Sequence, residues 1–183
     1  MKIRWLCLSF TPLLTSCASQ PVALAPIGPG PVPIRATASG AGYLRVYSQR
    51  MPVTEGFDQG ANPTYYQHAA YRIFDTAGKE VKYVGNSTGH YSSSPRLVSL
   101  APGNYIVEAR ARDYLMVKVP VVIESAQTTT VHLDDRWQPP AGTPKTQVVM
   151  EPDGYAVGWR AGPWEGHPSP EPPQNTAEPR SGG

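Results

Sequence analysis

Histidine is the residue type in this chain best suited to holding a metal ion or moving a proton near neutral pH. The chain has four: His68, His90, His132 and His167. None is spaced from another as metal ligands usually are, and no thiol stands near them. A zinc site made of His68, His90 and His132 would form only if the fold brought these three side chains together, since their spacing in the sequence does not predict it. We therefore interpret the histidines as solvated imidazoles in loops and at strand ends.

Catalytic and nucleic-acid chemistry lack their usual sequence patterns. The chain contains no G-x-S-x-G or H-E-x-x-H segment, no P-loop and no dinucleotide-binding glycine pattern. The run Ser92-Ser93-Ser94 predicts a flexible loop, since no oriented base accompanies it. The formal net charge is +2 without a long basic run, so the footprint of a nucleic-acid-binding protein is missing. We predict a protein that is not an enzyme and uses no metal or cofactor.

Aromatic side chains are the remaining candidates for ligand contact. Tyr65 and Tyr66 end a long connection between two predicted strands, and long loops often carry binding residues. Trp137 and Trp164 are candidates for a platform on which a glycan or a peptide stacks. Each pair also has a structural interpretation, which we favour. The tyrosines would fold back over the end of the domain, and the tryptophans, with Trp159, would cover the open side of the core.

The N-terminal residues form a targeting segment rather than part of the fold. Lys2 and Arg4 supply positive charge, and residues 5–14 form an apolar stretch too short to span a bilayer. The four residues Leu14-Thr15-Ser16-Cys17, which begin at the last residue of this stretch, are aliphatic, small polar, small and cysteine. This order resembles the lipobox of bacterial lipoproteins.

The resemblance implies a lipid anchor on Cys17. In that family the cysteine thiol is diacylated, the signal peptide is cut before it, and the freed amine can also be acylated. Two or more chains anchor a protein stably, at about 0.8 kcal/mol per buried methylene. Ala18 replaces the Asp that usually marks inner-membrane retention, which favours the outer membrane. Cys7 would leave with the signal peptide, so the processed chain would have no disulfide. The alternative is an ordinary secretory signal in which Cys17 is incidental.

Proline and glycine, at 21 and 17 residues, divide the chain into a core and two flanks. Residues 1–16 form the predicted signal peptide. The composition of residues 17–42 predicts an extended stalk, which would reach roughly 75 Å at ~3.1 Å per residue. Residues 134–164 predict a loop and a β-hairpin around the turn Pro152-Asp153-Gly154. Residues 165–183 predict a disordered tail.

Residues 43–133 alternate apolar and polar side chains as strands do, and no helical periodicity appears. Seven strands are predicted: Tyr43–Ser48, Ala69–Asp75, Lys79–Val84, Arg96–Leu100, Tyr105–Ala111, Leu115–Glu124 and Thr128–Leu133. The alternation assigns Leu44, Val107 and Val119 to the core and selects Val81 and Tyr83 on the third strand. Seven short strands separated by turns predict an all-β fold, a seven-stranded Greek-key β-sandwich of two sheets with disordered proline-rich flanks.

Residues 98–109 carry the most specific pattern in this region. They read V-S-L-A-P-G-N-Y-I-V-E-A and contain L-x-P-G-x-Y-x-V-x-A. The pattern positions are Leu100, Pro102, Gly103, Tyr105, Val107 and Ala109. This segment resembles the carboxypeptidase regulatory-like domains and the related PEGA and collagen-adhesin B-type sandwiches. The resemblance implies a transthyretin-like or immunoglobulin-like sandwich and a non-catalytic accessory or wall-proximal module.

The function expected from the sequence is that of a non-catalytic envelope lipoprotein. It would present a β-sandwich to the periplasm or to the outside, in a structural or binding role. One alternative is an accessory subunit of an envelope complex that docks by adding a strand to an exposed sheet edge. Another is a weak module for cell-wall glycan. Its partners would be the membrane, through the lipid anchor, and envelope proteins or wall glycan.

Overall fold

The alternating sequence folds into strands throughout the part of the chain that the structure describes. The structure is a computed structural model that describes residues 24–31, 40–53, 65–89 and 92–162. The signal peptide, Cys17, Trp164 and the predicted tail lie outside these residues. Twelve strands occur among the described residues, so the fold is all-β. They are β1 (Ile27–Gly28), β2 (Gly42–Tyr47), β3 (Arg50–Val53), β4 (Tyr65–His68), β5 (Tyr71–Asp75), β6 (Glu80–Val84), β7 (Leu97–Leu100), β8 (Gly103–Arg110), β9 (Met116–Ile123), β10 (Thr128–His132), β11 (Val148–Met150) and β12 (Ala156–Arg160).

The strands form three sheets. The largest has the order β11-β12-β1-β9-β8-β5-β6, the second has the order β10-β2-β7, and β3 pairs with β4. Side chains from the two larger sheets share one buried hydrophobic cluster. The described helices are two 3₁₀ turns, Arg112–Tyr114 and Lys145–Gln147, and no helix in these ranges is long and apolar enough to cross a membrane.

The predicted inward faces are confirmed for most strands. Leu44, Val107 and Val119 are fully buried, and each belongs to the shared cluster. All seven predicted strands form, within a few residues of their expected ends. Besides these seven and the two strands of the predicted C-terminal hairpin, β11 and β12, the structure has three strands that were not predicted, β1, β3 and β4.

The face selected for β6 is wrong. Val81 and Tyr83 are 47% and 60% exposed, whereas Val84 is 2% exposed. The pairing of β5 with β6 jumps from Ile73↔Lys82 to Phe74↔Glu80, so Val81 is an extra residue in the ladder. Tyr83 pairs with the exposed Arg72 and Val84 with the buried Tyr71, so the apolar residues Val81 and Tyr83 lie on the outward face of an edge strand, which periodicity alone does not reveal.

The predicted stalk is wrong for residues 24–31, because this segment lies in the large sheet. Ile27 is fully buried. It pairs with Val121 of β9 on one side and with Arg160 of β12 on the other. A β-carbon on Gly28 would lie 2.9 Å from the α-carbon of Ala161, so this position requires the absence of a side chain. The composition of this segment suggested a linker, but Ile27 and Gly28 form a short strand between β9 and β12.

The C-terminal hairpin forms as predicted, and it packs. β11 and β12 are antiparallel, and Gly154 in the turn has φ +90°, a conformation that favours glycine. Val149 and Val157 are buried in the shared cluster. Gly158 lies where β12 passes β10, because a β-carbon there would be 2.9 Å from the Thr130 carbonyl oxygen.

Candidate functional site

An open cleft of about 300 Å³ lies where β2 and β10 end. The two strands run parallel and in register, so Tyr47 and His132 are direct neighbours on the same face. The chain continues from β10 into residues 134–137, which form another wall of the cleft. We call this site the aromatic cleft. Its lining residues are Tyr47, Arg50, His68, Ser93, His132, Asp134, Arg136 and Trp137.

Three nearly parallel rings form one wall of the aromatic cleft. The ring centroids of Tyr47 and His132 are 4.6 Å apart at 13°, and those of His132 and Trp137 are 4.9 Å apart at 7°. The His68 ring meets Tyr47 edge-on at 5.5 Å, and Trp159 meets Trp137 edge-on at 5.7 Å. Most ring faces are therefore occupied by other rings of the protein. A sugar stacking flat on Trp137, as the sequence suggested, would have available only the face that does not lie against His132.

His68 is fixed by a buried hydrogen-bond network. Its Nδ1 lies 2.5 Å from the Ser48 carbonyl oxygen, so this nitrogen carries the hydrogen and donates it. The Ser48 hydroxyl donates to the Ala69 carbonyl at 2.6 Å. The Asn86 amide donates to the Val46 carbonyl at 2.8 Å and to the Ser48 hydroxyl at 3.0 Å. The network holds this wall of the cleft in one arrangement, which favours recognition of a ligand of fixed shape.

Asp134 places a carboxyl group at the cleft with one oxygen unsatisfied. The residue is 9% exposed, and its Oδ1 has no hydrogen-bond partner among the described residues. Burial raises the pKa of Asp134, while nearby His68, two backbone N–H groups and Arg136 partly lower it again. Oδ1 itself is shielded from solvent, and a buried oxygen without a donor is costly, so Asp134 would gain from a donor supplied by a ligand.

The other charged groups of the aromatic cleft are donors. The Arg50 guanidinium lies 5.3 Å from the centroid of the Tyr66 ring, and its Nε is buried without a hydrogen-bond partner among the described residues. Arg136 also lines the cleft and is exposed. Neither arginine forms an ion pair within the described ranges. Burial lowers the pKa of His132 to about 4, so its imidazole is neutral near pH 7.

The interpretation of the histidines as solvated imidazoles is wrong for His68 and His132. His68 is buried and His132 is half-buried, and both contact the ring of Tyr47. No group of three or more potential metal ligands occurs among the described residues. His90 and His167 lie outside them.

The predicted ligand contacts are only partly placed. Trp137 lines the aromatic cleft, and Tyr66, 49% exposed, supports Arg50 beside it. The backbone of Tyr65 belongs to β4, but its side chain lies outside the description, as does Trp164. Trp159 is half-buried.

Sequence reasoning missed most of the residues that line the cleft. A usable signal existed at Asp134-Asp135-Arg136-Trp137, a charged and aromatic cluster directly after a predicted strand. Tyr47 and His132 also stand on the outward faces of their strands. Their proximity depends on the parallel pairing of β2 with β10, which the sequence alone does not reveal.

A second, apolar pocket of about 200 Å³ lies beside the C-terminal hairpin, with Leu24 and Leu115 in its lining. Arg112 ties its rim together. Its guanidinium lies 3.8 Å from the centroid of the Tyr155 ring, 3.6 Å from Glu151 Oε2, and also pairs with Asp153. These contacts fasten the hairpin turn to the 3₁₀ turn before β9, which gives Arg112 a structural role.

Comparison with known proteins identifies no relative: no family model, no curated protein and no solved structure matches the chain.

Proposed function

We propose that this protein is a lipoprotein of the bacterial cell envelope whose β-domain binds a ligand in the aromatic cleft and catalyses no reaction. The observation that carries the binding role is the unsatisfied carboxyl oxygen of Asp134 in an open cleft. Ligand sites typically combine apolar walls with a few fixed polar groups, and the ring stack and the His68 network supply both. The ligand would be an envelope component, either wall glycan or part of an envelope protein.

The anchor would be Cys17, held in the outer membrane with the domain at the periplasmic or surface face. The support is the lipobox-like tetrad Leu14-Thr15-Ser16-Cys17 followed by Ala18. Leu24 is already packed in the domain, and it lies only seven residue steps after the anchor, with six residues between them. At 3.3–3.6 Å per residue, the domain would sit within about 25 Å of the lipid.

The β-domain would be a variant of the transthyretin-like or immunoglobulin-like Greek-key sandwich. The shared hydrophobic cluster between the two larger sheets supports this assignment. Added to the predicted seven strands, β1 and the C-terminal hairpin would extend one sheet beyond the common pattern.

The anchor is tested by replacing the cysteine. Cys17→Ser should abolish incorporation of labelled palmitate and leave the protein unprocessed or outside the membrane fraction. Cys7→Ser is the matched control, because Cys7 lies in the signal peptide, and it should be lipidated normally. A Cys17→Ser chain that is processed and still extracted with membranes would contradict the anchor.

The binding role is tested with the full chain in detergent, mixed with isolated wall polysaccharide and with solubilised envelope proteins. We expect one of these fractions to be retained, and Asp134→Asn to reduce that retention. Asp135→Asn is the matched control, since Asp135 is exposed and its φ of 59° suits asparagine. Equal retention by both variants would place binding elsewhere on the protein.

A second candidate function, a subunit that docks by strand addition, is favoured by β6. This strand is an edge of the seven-stranded sheet and exposes Val81 and Tyr83. An unpaired edge with apolar side chains is a template for a strand of another chain. Cross-linking at Tyr83 should capture one envelope protein, and Val81→Pro should abolish that cross-link. The control is cross-linking at Leu97, an exposed residue of β7, which should not capture the same protein.

A further inference from the structure

We propose that the aromatic cleft recognises a small zwitterion, that is, an ammonium group and a carboxylate carried close together as in an α-amino acid. The inference rests on the proposed binding function of the cleft and specifies the chemistry of its ligand. It depends on two groups of opposite charge that line the same cleft, the Asp134 carboxyl and the Arg50 guanidinium. Each has a buried atom without a hydrogen-bond partner among the described residues.

The ammonium subsite is assigned to Asp134. Backbone N–H groups of Asp134 and Arg136 already donate to its carboxyl group, while Oδ1 remains without a donor. No cationic side chain lies within ion-pair distance of this carboxylate in the described part of the chain. An ammonium group supplies both a donor and a full positive charge to this carboxyl group, whereas a hydroxyl or an amide supplies only the donor.

A metal ion fits this position less well than an ammonium group. The described residues hold no cluster of three or more potential metal ligands. His68 donates Nδ1–H to the Ser48 carbonyl and keeps a lone pair on Nε2, but no third ligand accompanies it and Asp134 among the described residues.

The carboxylate subsite is assigned to Arg50 with Arg136. Both line the aromatic cleft, and neither has a carboxylate partner among the described residues. The Tyr66 ring beneath the Arg50 guanidinium limits its orientations, which lowers the entropy lost when a ligand carboxylate binds. Charge-assisted hydrogen bonds from guanidinium to carboxylate are among the strongest that proteins form.

The size of the cleft sets the scale of the ligand. At about 300 Å³ it lies at the small end of ligand sites, so it accommodates an amino acid or the end of a short peptide. The occupied faces of the Tyr47, His132 and Trp137 rings leave their edges for apolar contact. A compact zwitterion with a small side chain suits such a wall better than a flat sugar ring does.

The test uses alanine and two blocked forms on the full chain in detergent. The indole N–H signal of Trp137, identified by its loss in Trp137→Phe, reports binding in nitrogen-15-resolved NMR spectra. Alanine should shift this signal, while alanine amide, which lacks the carboxylate, and N-acetylalanine, which lacks the ammonium, should each bind at least about tenfold more weakly. This comparison needs no variant of the binding residues.

Variants then assign each end of the ligand. Asp134→Asn should weaken alanine and alanine amide and leave N-acetylalanine unchanged, with Asp135→Asn as its control. Arg50→Gln should weaken alanine and N-acetylalanine and leave alanine amide unchanged. Its control is Arg72→Gln, because Arg72 is exposed on β5 and pairs with Glu80 outside the cleft.

Three results would overturn the inference: no response to alanine up to its solubility, equal affinity for alanine and N-acetylalanine, or a response to divalent cations alone. If the cleft still retains an envelope fraction in an Asp134-dependent way, the binding function stands and only its ligand class is wrong. If the chain retains no fraction and does not respond to alanine, both proposals fail.

Discussion

His132 illustrates how the surroundings of one side chain can make the stability of the protein depend on pH. The ring lies between Tyr47 and Trp137, where hydration of the charged form is reduced, and its pKa falls to about 4. In the unfolded chain a histidine has a pKa near 6.5. Below that value the unfolded chain binds a proton that the folded chain does not, so the folded state loses stability as the pH falls from about 6.5 to about 4.

We therefore expect His132→Phe to reduce the loss of stability in mild acid. Phenylalanine keeps a ring between Tyr47 and Trp137 but does not titrate. Between pH 7.5 and pH 4.5 the wild-type chain should lose roughly 1–3 kcal/mol more than the variant, allowing for the partial hydration of the site. Urea unfolding at the two pH values measures the difference. The raised pKa values of Asp134 and Glu151 act in the opposite direction and are common to both chains. Identical acid sensitivity would mean that His132 titrates normally.

Val107 and its neighbour Glu108 provide a residue-scale test of which face of β8 is inward. Val107 is fully buried, so Val107→Asp places an unpaired carboxylate between the sheets and should prevent stable folding at a cost of several kcal/mol. Glu108 is half-buried and forms an ion pair with Lys118 at 3.6 Å. Glu108→Ala should cost under about 1 kcal/mol. Thermal melts distinguish the two, and similar melting temperatures would reverse the assigned face.

At this scale the sequence predicts core residues better than site residues. Val107 is recognisable because alternation along a single strand requires no knowledge of the partner strands. Asp134 is different, because its environment depends on His68, which lies on a separate segment, as well as on nearby Arg136. The unsatisfied oxygen that makes Asp134 interesting is a property of the assembled fold.

At the scale of elements, the C-terminal hairpin depends on a close crossing of strands. Gly158 of β12 lies against β10, and a β-carbon there would come within 2.7 Å of the Ile27 side chain and 2.9 Å of the Thr130 carbonyl oxygen. The contact with backbone cannot be relieved by rotating a side chain. Either β12 must move or the crossing must open.

Gly158→Ala should therefore destabilise the protein by about 1–3 kcal/mol, the usual range for overpacking. Gly85→Ala is the control, since a β-carbon on Gly85 meets no atom within 4 Å and its φ is not in the left-handed region. That variant should change stability by less than about 0.5 kcal/mol. Chemical denaturation of the two variants gives the comparison. A neutral Gly158→Ala would show that the crossing is looser than described.

The elements that the sequence failed to predict have a common physical reason. β1 has two residues flanked by prolines, and β3 contains Pro52, so neither offers a run long enough for periodicity to be read. β6 was found, but its face was assigned wrongly because the apolar residues Val81 and Tyr83 lie on the exposed face of this edge strand. Long alternating strands such as β8 and β9 were found with nearly correct limits because eight residues repeat the pattern four times.

At the scale of the whole molecule, β1 connects the two parts of the large sheet. In the order β11-β12-β1-β9, the hairpin reaches the rest of its sheet only through Ile27 and Gly28. The remaining support for the hairpin comes from the packing of β12 against β10 and from the contacts that Arg112 makes with its turn. A segment that composition marks as a linker thus holds the C-terminal part of the domain in place.

Ile27→Ala should accordingly lower global stability by about 2–5 kcal/mol, as expected for truncating a fully buried isoleucine. It should also speed hydrogen exchange of the β11 and β12 amides more than that of β8 and β5. Pro31→Ala is the control, since Pro31 is exposed and lies outside β1. If exchange in the hairpin is unchanged by Ile27→Ala, the packing against β10 is sufficient to hold it.

The position of β1 also constrains the order in which the domain can be completed. The first described strand, β1, has as its partner on one side the last described strand, with Ile27 opposite Arg160. The slot between β9 and β12 is complete only once β12 has been synthesised, although the β9 side of it is available earlier. Pairings between such distant residues form slowly. A chain stalled or cut before residue 156 would leave unpaired the edge of β1 that β12 normally covers, which makes completion of β12 the point at which this edge is protected from aggregation.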